Sequence, residues 1–391
     1  MRVEQRTVDS LPFSEADAAA FKTLDPDLLF VFGAVARLDQ PEAHAALLTA
    51  FPRAAIVGCS TAGEIGPTGV SDGGLALTAI RFDHPGFVVA TTDLASMDDS
   101  KAAGQRLGRE LAREGLHDVV VFGQGVGING SALIDGLRAV LPEGVAVTGG
   151  LAGDGGAFRQ TLTVSRAAIS SRQLVALGFY DPRTRLAHGT FHGWKPFGPV
   201  RKVTRSRGNL LLELDGQPAL DIYKRYLGSY AEGLPASGLL FPFEMLGEDQ
   251  NAVGLIRTIL GVDEEKGALI LAGDVVQDGY LRLMHASTDS LVEGAEVAAE
   301  QVLGKLADVE ESLALLVSCV GRKLVMGARV DEEVEAVAEV FGAHHRAAAG
   351  RGATKLTGFY SYGEISPLLS ELDCRLHNQT MTITHIAEVG E

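Results

Sequence analysis

Residue types used by thiol-dependent hydrolases occur in the C-terminal part of the chain as Cys319, His377 and Asn378. A cysteine attacks as its thiolate, and a neighbouring cation such as Arg322 lowers the pKa of a thiol. Cys319 also follows an apolar run, so a small buried hydrophobic residue is the alternative interpretation. Because spacing in sequence does not place these side chains together and no nucleophile signature surrounds Cys319, a thiol enzyme is the second hypothesis for this chain.

Two glycine turns share the pattern Gly-x4-Gly-Glu-Ile-x-Pro, at residues 58–67 and 358–367. Each turn follows a strand, a helix and a second strand, and each precedes another strand, which predicts a duplicated α/β unit. The turns place Glu64 and Glu364 at matching positions. A glutamate there either accepts backbone N–H bonds within its own turn or presents a carboxylate to a ligand site between the units.

Aromatic residues distinguish the second turn from the first. Tyr360 and Tyr362 alternate in the second turn, where Ser60 and Ala62 stand in the first. Tyrosine rings can clamp a planar ligand or an amine, although core packing also explains them. We therefore expect a binding cleft mainly on the C-terminal unit.

The glycine-rich segment Gly123–Ser131 lies between a predicted strand and a helix. Its glycines do not follow the Gly-x-Gly-x-x-Gly pattern of dinucleotide-binding folds, because Ile128 stands where a glycine is needed. No Walker-type lysine follows a glycine loop, and no His/Cys cluster has the spacing of a zinc site. The sequence therefore gives little support to nucleotide or zinc binding.

Short apolar runs such as Leu28–Ala34 and Val119–Phe122 predict buried strands, and they alternate with helical segments. The predicted fold is α/β (α+β), with two pseudo-duplicated units of mixed β-sheets flanked by helices in an α-β-β-α layering. We predict an irregular lead-in at residues 1–27, a first domain at 28–217 and a second at 218–391.

Bulk composition excludes several function classes. The chain has 391 residues, 46% of them hydrophobic, and a formal net charge of −16. An acidic surface repels phosphate backbones and anionic lipids, so we expect neither nucleic acid nor a membrane as partner. Apolar runs are far shorter than the roughly 20 residues that span a bilayer. Three cysteines without metal-type spacing and a polar N-terminus predict a cytoplasmic protein.

Several motifs resemble the FIST family, with the first domain similar to the FIST N-terminal domain and the second to the FIST C-terminal domain. The matching segments are Gly58–Ile65, Thr148–Asp154, Gly193–Pro196, Tyr226–Gly228, Ser318–Arg322, Gly358–Ile365 and His377–Thr382. This resemblance implies a bacterial sensory module that binds a small ligand and regulates a separate partner, such as a histidine kinase or a cyclic-di-GMP enzyme.

Some members of the family bind haem and sense nitric oxide, so the resemblance also implies haem as a cofactor here. Haem iron needs an axial ligand, usually His, Cys or Tyr. His377, which lies in a family motif, is the first candidate as iron ligand, and His192 and Cys319 are the others. A histidine bonded to its own loop backbone is the alternative interpretation. The leading hypothesis is a non-enzymatic sensor.

Overall fold

The structure is a computed structural model that describes residues 1–9, 12–305, 309–347, 352–368 and 373–390. It confirms the mixed α/β class, with mixed sheets flanked by helices. The predicted duplication extends to a third unit. Each unit consists of an edge strand, a helix, two parallel strands joined by a helical crossover, a glycine turn, a short hairpin and a closing strand.

The first two units follow each other along the chain. The first contains β1 (Arg2–Val8), α1 (Glu15–Leu24), β2 (Leu28–Gly33), α2 (Val35–Leu38), α3 (Ala43–Ala50), β3 (Ala55–Ser60), β4 (Glu64–Gly66), β5 (Gly69–Ser71) and β6 (Leu75–Arg81). The second contains β7 (Phe87–Asp93), α4 (Ser100–Leu111), β8 (Asp118–Gly123), α5 (Gly130–Arg138), β9 (Ala146–Leu151), β10 (Thr163–Ser165), β11 (Ile169–Ser170) and β12 (Gln173–Phe179).

An inserted domain interrupts the third unit after its edge strand. The unit begins with β13 (Thr184–Phe191). The inserted domain contains β14 (Lys195–Pro196), β15 (Arg201–Arg207), β16 (Leu210–Leu214), β17 (Gln217–Pro218), α6 (Ala219–Leu227), β18 (Phe243–Leu246), β19 (Ala252–Arg257), β20 (Ile259–Asp263), β21 (Ala268–Leu271) and β22 (Tyr280–His285). The unit resumes with α7 (Thr288–Leu303), β23 (Glu311–Cys319), α8 (Val320–Met326), α9 (Asp331–Ala347), β24 (Ala353–Ser361), β25 (Gly363–Pro367), β26 (Cys374–His377) and β27 (Met381–Glu388).

Each unit builds one sheet, and the hairpin of another unit extends that sheet. The strand orders are β1-β6-β2-β3-β10-β11, β26-β25-β9-β8-β12-β7 and β13-β27-β23-β24-β4-β5. The first unit thus lends its hairpin to the third sheet, the second unit to the first sheet, and the third unit to the second sheet. This cyclic exchange gives the molecule approximate threefold symmetry, and the two segments predicted as domains share sheets.

Matching backbone hydrogen bonds join the three glycine turns to neighbouring strands. Ala62 N–H donates to Tyr360 O at 2.8 Å, Gly153 N–H to Ser60 O at 2.9 Å, and Tyr362 N–H to Leu151 O at 3.1 Å. All three bonds lie at the carboxyl ends of the parallel strands. The turns therefore meet at one end of the molecule, where ligands of open α/β sheets usually bind.

One glycine in each unit allows the two parallel strands to approach closely. These glycines are Gly58, Gly149 and Gly358, with φ of 156°, 124° and 156°. A Cβ atom would lie 1.9, 2.0 and 1.8 Å from a carbonyl oxygen of the adjacent parallel strand at the three positions, respectively. No side chain fits at such a distance, so each of the three units requires a glycine at this position.

The three sheets enclose one core, where the sequence predicted two stacked layers. Phe32, Phe122 and Phe359 come from the three sheets, and their ring centroids lie 4.9 to 6.1 Å apart. All three rings are fully buried. A second sheet layer is not needed, because each sheet packs against the other two.

The predicted irregular lead-in at residues 1–27 is wrong. Residues 2–8 form β1, which pairs antiparallel with β6, and Ser14 caps α1 by accepting the N–H of Asp17. Only Val3, Gln5 and Val8 of β1 are buried, so the strand carries a weak apolar pattern. Its position depends on pairing with a distant strand rather than on local sequence. No helix among the described residues is long and apolar enough to cross a membrane.

Candidate functional site

Glu364 of the second glycine turn is a fully buried carboxylate that binds its own turn. It accepts hydrogen bonds from Ser361 Oγ at 2.6 Å, Thr380 Oγ1 at 3.0 Å and Thr380 N–H at 3.2 Å. Burial raises the pKa of Glu364 to about 7, although these hydrogen bonds act in the opposite direction. Glu364 therefore ties the turn to β27 and does not face an open site.

Glu64 makes the equivalent bonds in the first unit. It accepts from Thr61 Oγ1 at 2.5 Å and from Gly74 N–H at 3.2 Å. Burial raises the pKa of Glu64, and the Thr61 hydroxyl partly offsets that effect. In both turns the glutamate accepts one hydrogen bond from a hydroxyl three residues earlier in the chain and one from the backbone N–H just before the closing strand. Turn fixation, one of the two predicted roles, thus accounts for both glutamates.

Arg322, predicted to activate Cys319, belongs to a buried ion pair. Its Nη2 lies 2.7 Å from Glu333 Oε2, and both side chains are 0% exposed. Cys319 is also buried, and burial raises the pKa of its thiol well above the ordinary value. A thiol that stays protonated is a poor nucleophile. The structure therefore gives no support to the thiol-enzyme hypothesis.

The residues present do not fit a haem. The His377 ring is 1% exposed, and its Nε2 lies 3.0 Å from the carbonyl oxygen of Ser366. His192 Nδ1 accepts the N–H of Trp194 at 3.0 Å. Burial lowers the pKa of each histidine to about 4. Neither ring lines the large cavity described below, and a porphyrin needs open space beside its axial ligand.

Asn378, Tyr360 and Tyr362 are also engaged in packing. Asn378 is 1% exposed and lies beside His377. The Tyr360 hydroxyl donates to Glu333 Oε1 at 2.6 Å in the interior. Tyr362 stacks on Phe158 with ring centroids 4.1 Å apart, and its hydroxyl donates to Asp154. These tyrosines do not form a clamp that is open to solvent.

The structure thus brings most of the predicted residues together, but inside the third unit. Arg322 and Tyr360 share Glu333, and Arg322 also donates to His192 O at 2.5 Å. Glu364 and His377 face each other across the β25–β26 ladder. This cluster is a buried framework rather than a binding site.

A cleft of about 800 Å³ opens beside the first glycine turn. All three units contribute to it, and among the predicted site residues only Glu64 lines it. The lining consists of Ala34, Val35, Ala36, Thr61, Ala62, Gly63, Glu64, Asp72, Gly73, Asp154, Gly155, Ala157, Arg159, Gln160, Val320, Lys323, Leu324 and Gly327. The volume of the cleft is typical of a small-molecule site. The cleft lies beside the first glycine turn, whereas the sequence predicted a binding cleft mainly beside the second turn.

Lys323 is the most enclosed cation of the cleft. Its Nζ donates to Ala62 O at 2.9 Å, pairs with Asp72, and stands 5.3 Å from the centre of the Tyr360 ring. Lys323 follows Arg322 on α8, so one helix presents adjacent cations to the interior and to the cleft. Sequence reasoning missed Lys323 because no pattern shows which of two adjacent residues faces solvent.

Asp154 shapes another part of the cleft wall. Its carboxylate accepts the Tyr362 hydroxyl and the N–H groups of Phe158, Arg159 and Gln160, the last three at 2.7 to 3.0 Å. Burial alone would raise the pKa of Asp154, but these hydrogen bonds lower it. The ionised carboxylate therefore holds the 154–160 loop in place. Asp154 is the last residue of the Thr148–Asp154 segment that resembles the FIST family, and this resemblance was the sequence evidence that pointed to it.

A separate cluster of titratable groups lies at the amino end of β8, away from the cleft. Asp118 bridges His117 Nδ1 at 2.8 Å and His188 Nε2 at 2.9 Å. The hydrogen bond from His117 Nδ1 to the Asp118 carboxylate raises the pKa of His117 above its ordinary 6.5. Protonated His117 therefore stabilises the fold. That contribution is complete below about pH 6.5 and is lost as pH rises through the folded-state pKa.

His117→Ala is expected to lower the free energy of unfolding by about 1 kcal/mol at pH 5.5 and by much less at pH 9. Urea unfolding at the two pH values measures the difference, because the charged hydrogen bond to Asp118 exists only at the lower pH. His44→Ala, at a half-buried position without an acidic partner among the described residues, is the control. An equal loss at both pH values would contradict the assignment.

Comparison with known proteins gives the chain a family context. The FIST N domain model matches residues 27–217 and the FIST C domain model residues 219–367. An uncharacterized protein of Methanocaldococcus jannaschii is 22% identical over 241 residues, which are 56% of this chain and 45% of the relative. The chain therefore spans about half the length of that curated relative. A cyanuric acid hydrolase from A. caulinodans aligns over 99% of both chains at 11% identity and a TM-score of 0.37.

Proposed function

Because the chain belongs to the FIST family, whose domains are sensory modules of signal transduction that bind small ligands, we propose that the cleft beside the first glycine turn is its ligand site. The observation that carries this proposal is that residues of all three units form the walls of the cleft. The first unit supplies the floor at Thr61–Glu64, the second unit supplies the 154–160 loop, and α8 of the third unit supplies Lys323. A ligand there contacts all three units at once.

Such a position is suited to sensing. A ligand shifts a conformational equilibrium only through contacts that differ between two states. The 154–160 loop and the β5–β6 turn are exposed segments that both line the cleft, while α8 is anchored through Arg322. A ligand that bridges the exposed segments to α8 favours the closed arrangement over an open one.

The output of the proposed sensor passes to a separate signalling protein. We propose a histidine kinase or a cyclic-di-GMP enzyme as the kind of partner. The affinity for that partner would depend on the arrangement of the exposed segments. Haem and nitric oxide are not part of the proposal, because His377 is buried and His192 Nδ1 is already bonded to the N–H of Trp194. A non-enzymatic role is consistent with the family.

Ala157→Trp is expected to abolish ligand binding, because an indole on this exposed cleft residue fills the space between the 154–160 loop and α8. A small-molecule library covering acids, amines and neutral compounds is screened by the rise in Tm. At least one compound should raise the Tm of the wild type and leave that of Ala157→Trp unchanged.

Ala102→Trp is the matched control, since Ala102 is an exposed alanine on α4 that does not line the cleft. It should retain every ligand. If all compounds that stabilise the wild type stabilise Ala157→Trp equally, the cleft is not the ligand site.

A further inference from the structure

The framework of the fold holds the Lys323 ammonium in the cleft. Its side chain is 16% exposed. Ala62 O, which accepts its 2.9 Å hydrogen bond, belongs to the turn that is tied to β24 by the Ala62 N–H to Tyr360 O bond. The Tyr360 ring below the ammonium is fully buried. The position of the cation is therefore fixed by groups that do not depend on a ligand.

The remaining partner of Lys323 is of a different kind. Asp72 lies in the exposed turn between β5 and β6, and its side chain is 71% exposed. Within the described residues, its carboxylate makes no hydrogen bond or ion pair other than the one with Lys323. Exposed ion pairs contribute little to stability. A competing anion can therefore replace the Asp72 carboxylate on Lys323 at small cost.

The other two carboxylates of the cleft are already bonded within the fold. Glu64 is buried and occupied by Thr61 and Gly74. Asp154 accepts three backbone N–H groups and the Tyr362 hydroxyl. Negative charge in the cleft is therefore committed to the framework, and only Asp72 is exchangeable.

A second cation, Arg159, also lines the cleft. Arg159 is exposed on the 154–160 loop, and its guanidinium makes no ion pair or hydrogen bond with any other part of the chain that the structure describes. The hydrogen bond from Arg159 N–H to Asp154 Oδ2 at 2.7 Å fixes the backbone from which this side chain extends. A guanidinium with five free donors is well suited to an oxyanion.

We infer that the ligand of this cleft carries an oxyanion headgroup, a carboxylate or a phosphate, which displaces Asp72 from Lys323 and contacts Arg159. The inference rests on the proposed function and names the ligand class of the same site. Ala36, Val320 and Leu324 add apolar side chains to the lining of the cleft, with Leu324 51% exposed. The ligand therefore combines the anionic group with a small apolar body.

Four probes with the same alkyl chain test the headgroup: hexanoate, hexyl phosphate, hexylamine and hexan-1-ol. Calorimetric titration of the full chain should give dissociation constants for one or both anions at least tenfold lower than those for the amine and the alcohol. Tighter binding of hexyl phosphate identifies phosphate as the headgroup, and tighter binding of hexanoate identifies carboxylate. Equal or tighter binding of the amine or the alcohol overturns the inference, as does the absence of binding by both anions.

Charge variants test the two cations and the displaced carboxylate. Lys323→Gln should weaken binding of the anions at least tenfold, and Arg159→Gln, at an exposed position that leaves folding intact, should weaken it severalfold. Asp72→Asn should strengthen it by roughly fivefold, because the internal competitor is removed. The matched controls Lys101→Gln and Asp98→Asn, both exposed and outside the cleft, should change nothing.

The outcomes separate this inference from the proposed function. If only amines or neutral compounds bind and Ala157→Trp abolishes their binding, the cleft is a ligand site but not one for oxyanions. If the anions bind but Lys323→Gln, Arg159→Gln and Asp72→Asn leave their affinity unchanged, they bind elsewhere and the inference is wrong.

Discussion

Gly149→Ala is expected to lower the free energy of unfolding by about 3 kcal/mol or more, as much as the same change at Gly58 or Gly358. A Cβ atom at Gly149 would lie 2.0 Å from Val121 O, and the carbonyl cannot retreat because β8 and β9 are hydrogen-bonded neighbours. The φ of 124° adds backbone strain for any L-residue. Urea unfolding followed by circular dichroism measures the loss.

Gly304→Ala is the control for this prediction. Gly304 has a φ of −65° at the end of α7, and a Cβ there meets nothing within 4 Å. Alanine should therefore be neutral or stabilising by up to about 1 kcal/mol. If Gly149→Ala behaves like Gly304→Ala while Gly58→Ala and Gly358→Ala unfold the protein, the second unit is not equivalent to the other two.

Sequence reasoning detected two of the three units because it relied on the residues that follow Gly58 and Gly358. In the first and third units the hairpin begins directly after the turn, with Glu64 and Glu364 at the same place. In the second unit the 154–160 loop separates Gly149 from its hairpin, and Thr163 takes the place of the glutamate opposite the neighbouring strand. A pattern of fixed spacing cannot find a copy whose loop has a different length.

The exchange of hairpins between units could not be read from local sequence. The sequence predicted glycine turns at residues 58–67 and 358–367, and the structure has the short strands β4 and β25 within them. Their partners, β24 and β9, lie far away in sequence. Strand pairing over such distances depends on how whole sheets pack, so the cleft formed by three distant segments was equally hidden.

Residue chemistry alone does not distinguish buried groups from groups that line a cleft. Cys319, Arg322 and His377 carry reactive groups, and the sequence does not show that all three are buried. Lys323 carries an ordinary ammonium and was passed over, although it lines the cleft. Reactivity depends on exposure, and exposure depends on tertiary packing.

Glu333→Gln is expected to lower the free energy of unfolding by about 3 to 5 kcal/mol, because it leaves the Arg322 charge buried without a counter-charge. Glu333 accepts from Arg322 Nε and Nη2 at 3.1 and 2.7 Å, from Ser318 Oγ at 2.9 Å and from the Tyr360 hydroxyl at 2.6 Å. The neutral amide keeps the shape but removes the charge. Urea unfolding at neutral pH measures the effect.

Burial of the pair, rather than its mere presence, accounts for the size of this effect. Glu332→Gln breaks an ion pair with Arg329 in which both side chains are substantially exposed, and it should cost far less than Glu333→Gln. Arg322→Met combined with Glu333→Gln should recover part of the loss, since no unpaired charge remains. Equal costs for Glu333→Gln and Glu332→Gln would contradict the burial argument. Equal costs would also contradict the inference that the Arg322–Glu333 pair anchors α8, which carries Lys323 into the cleft.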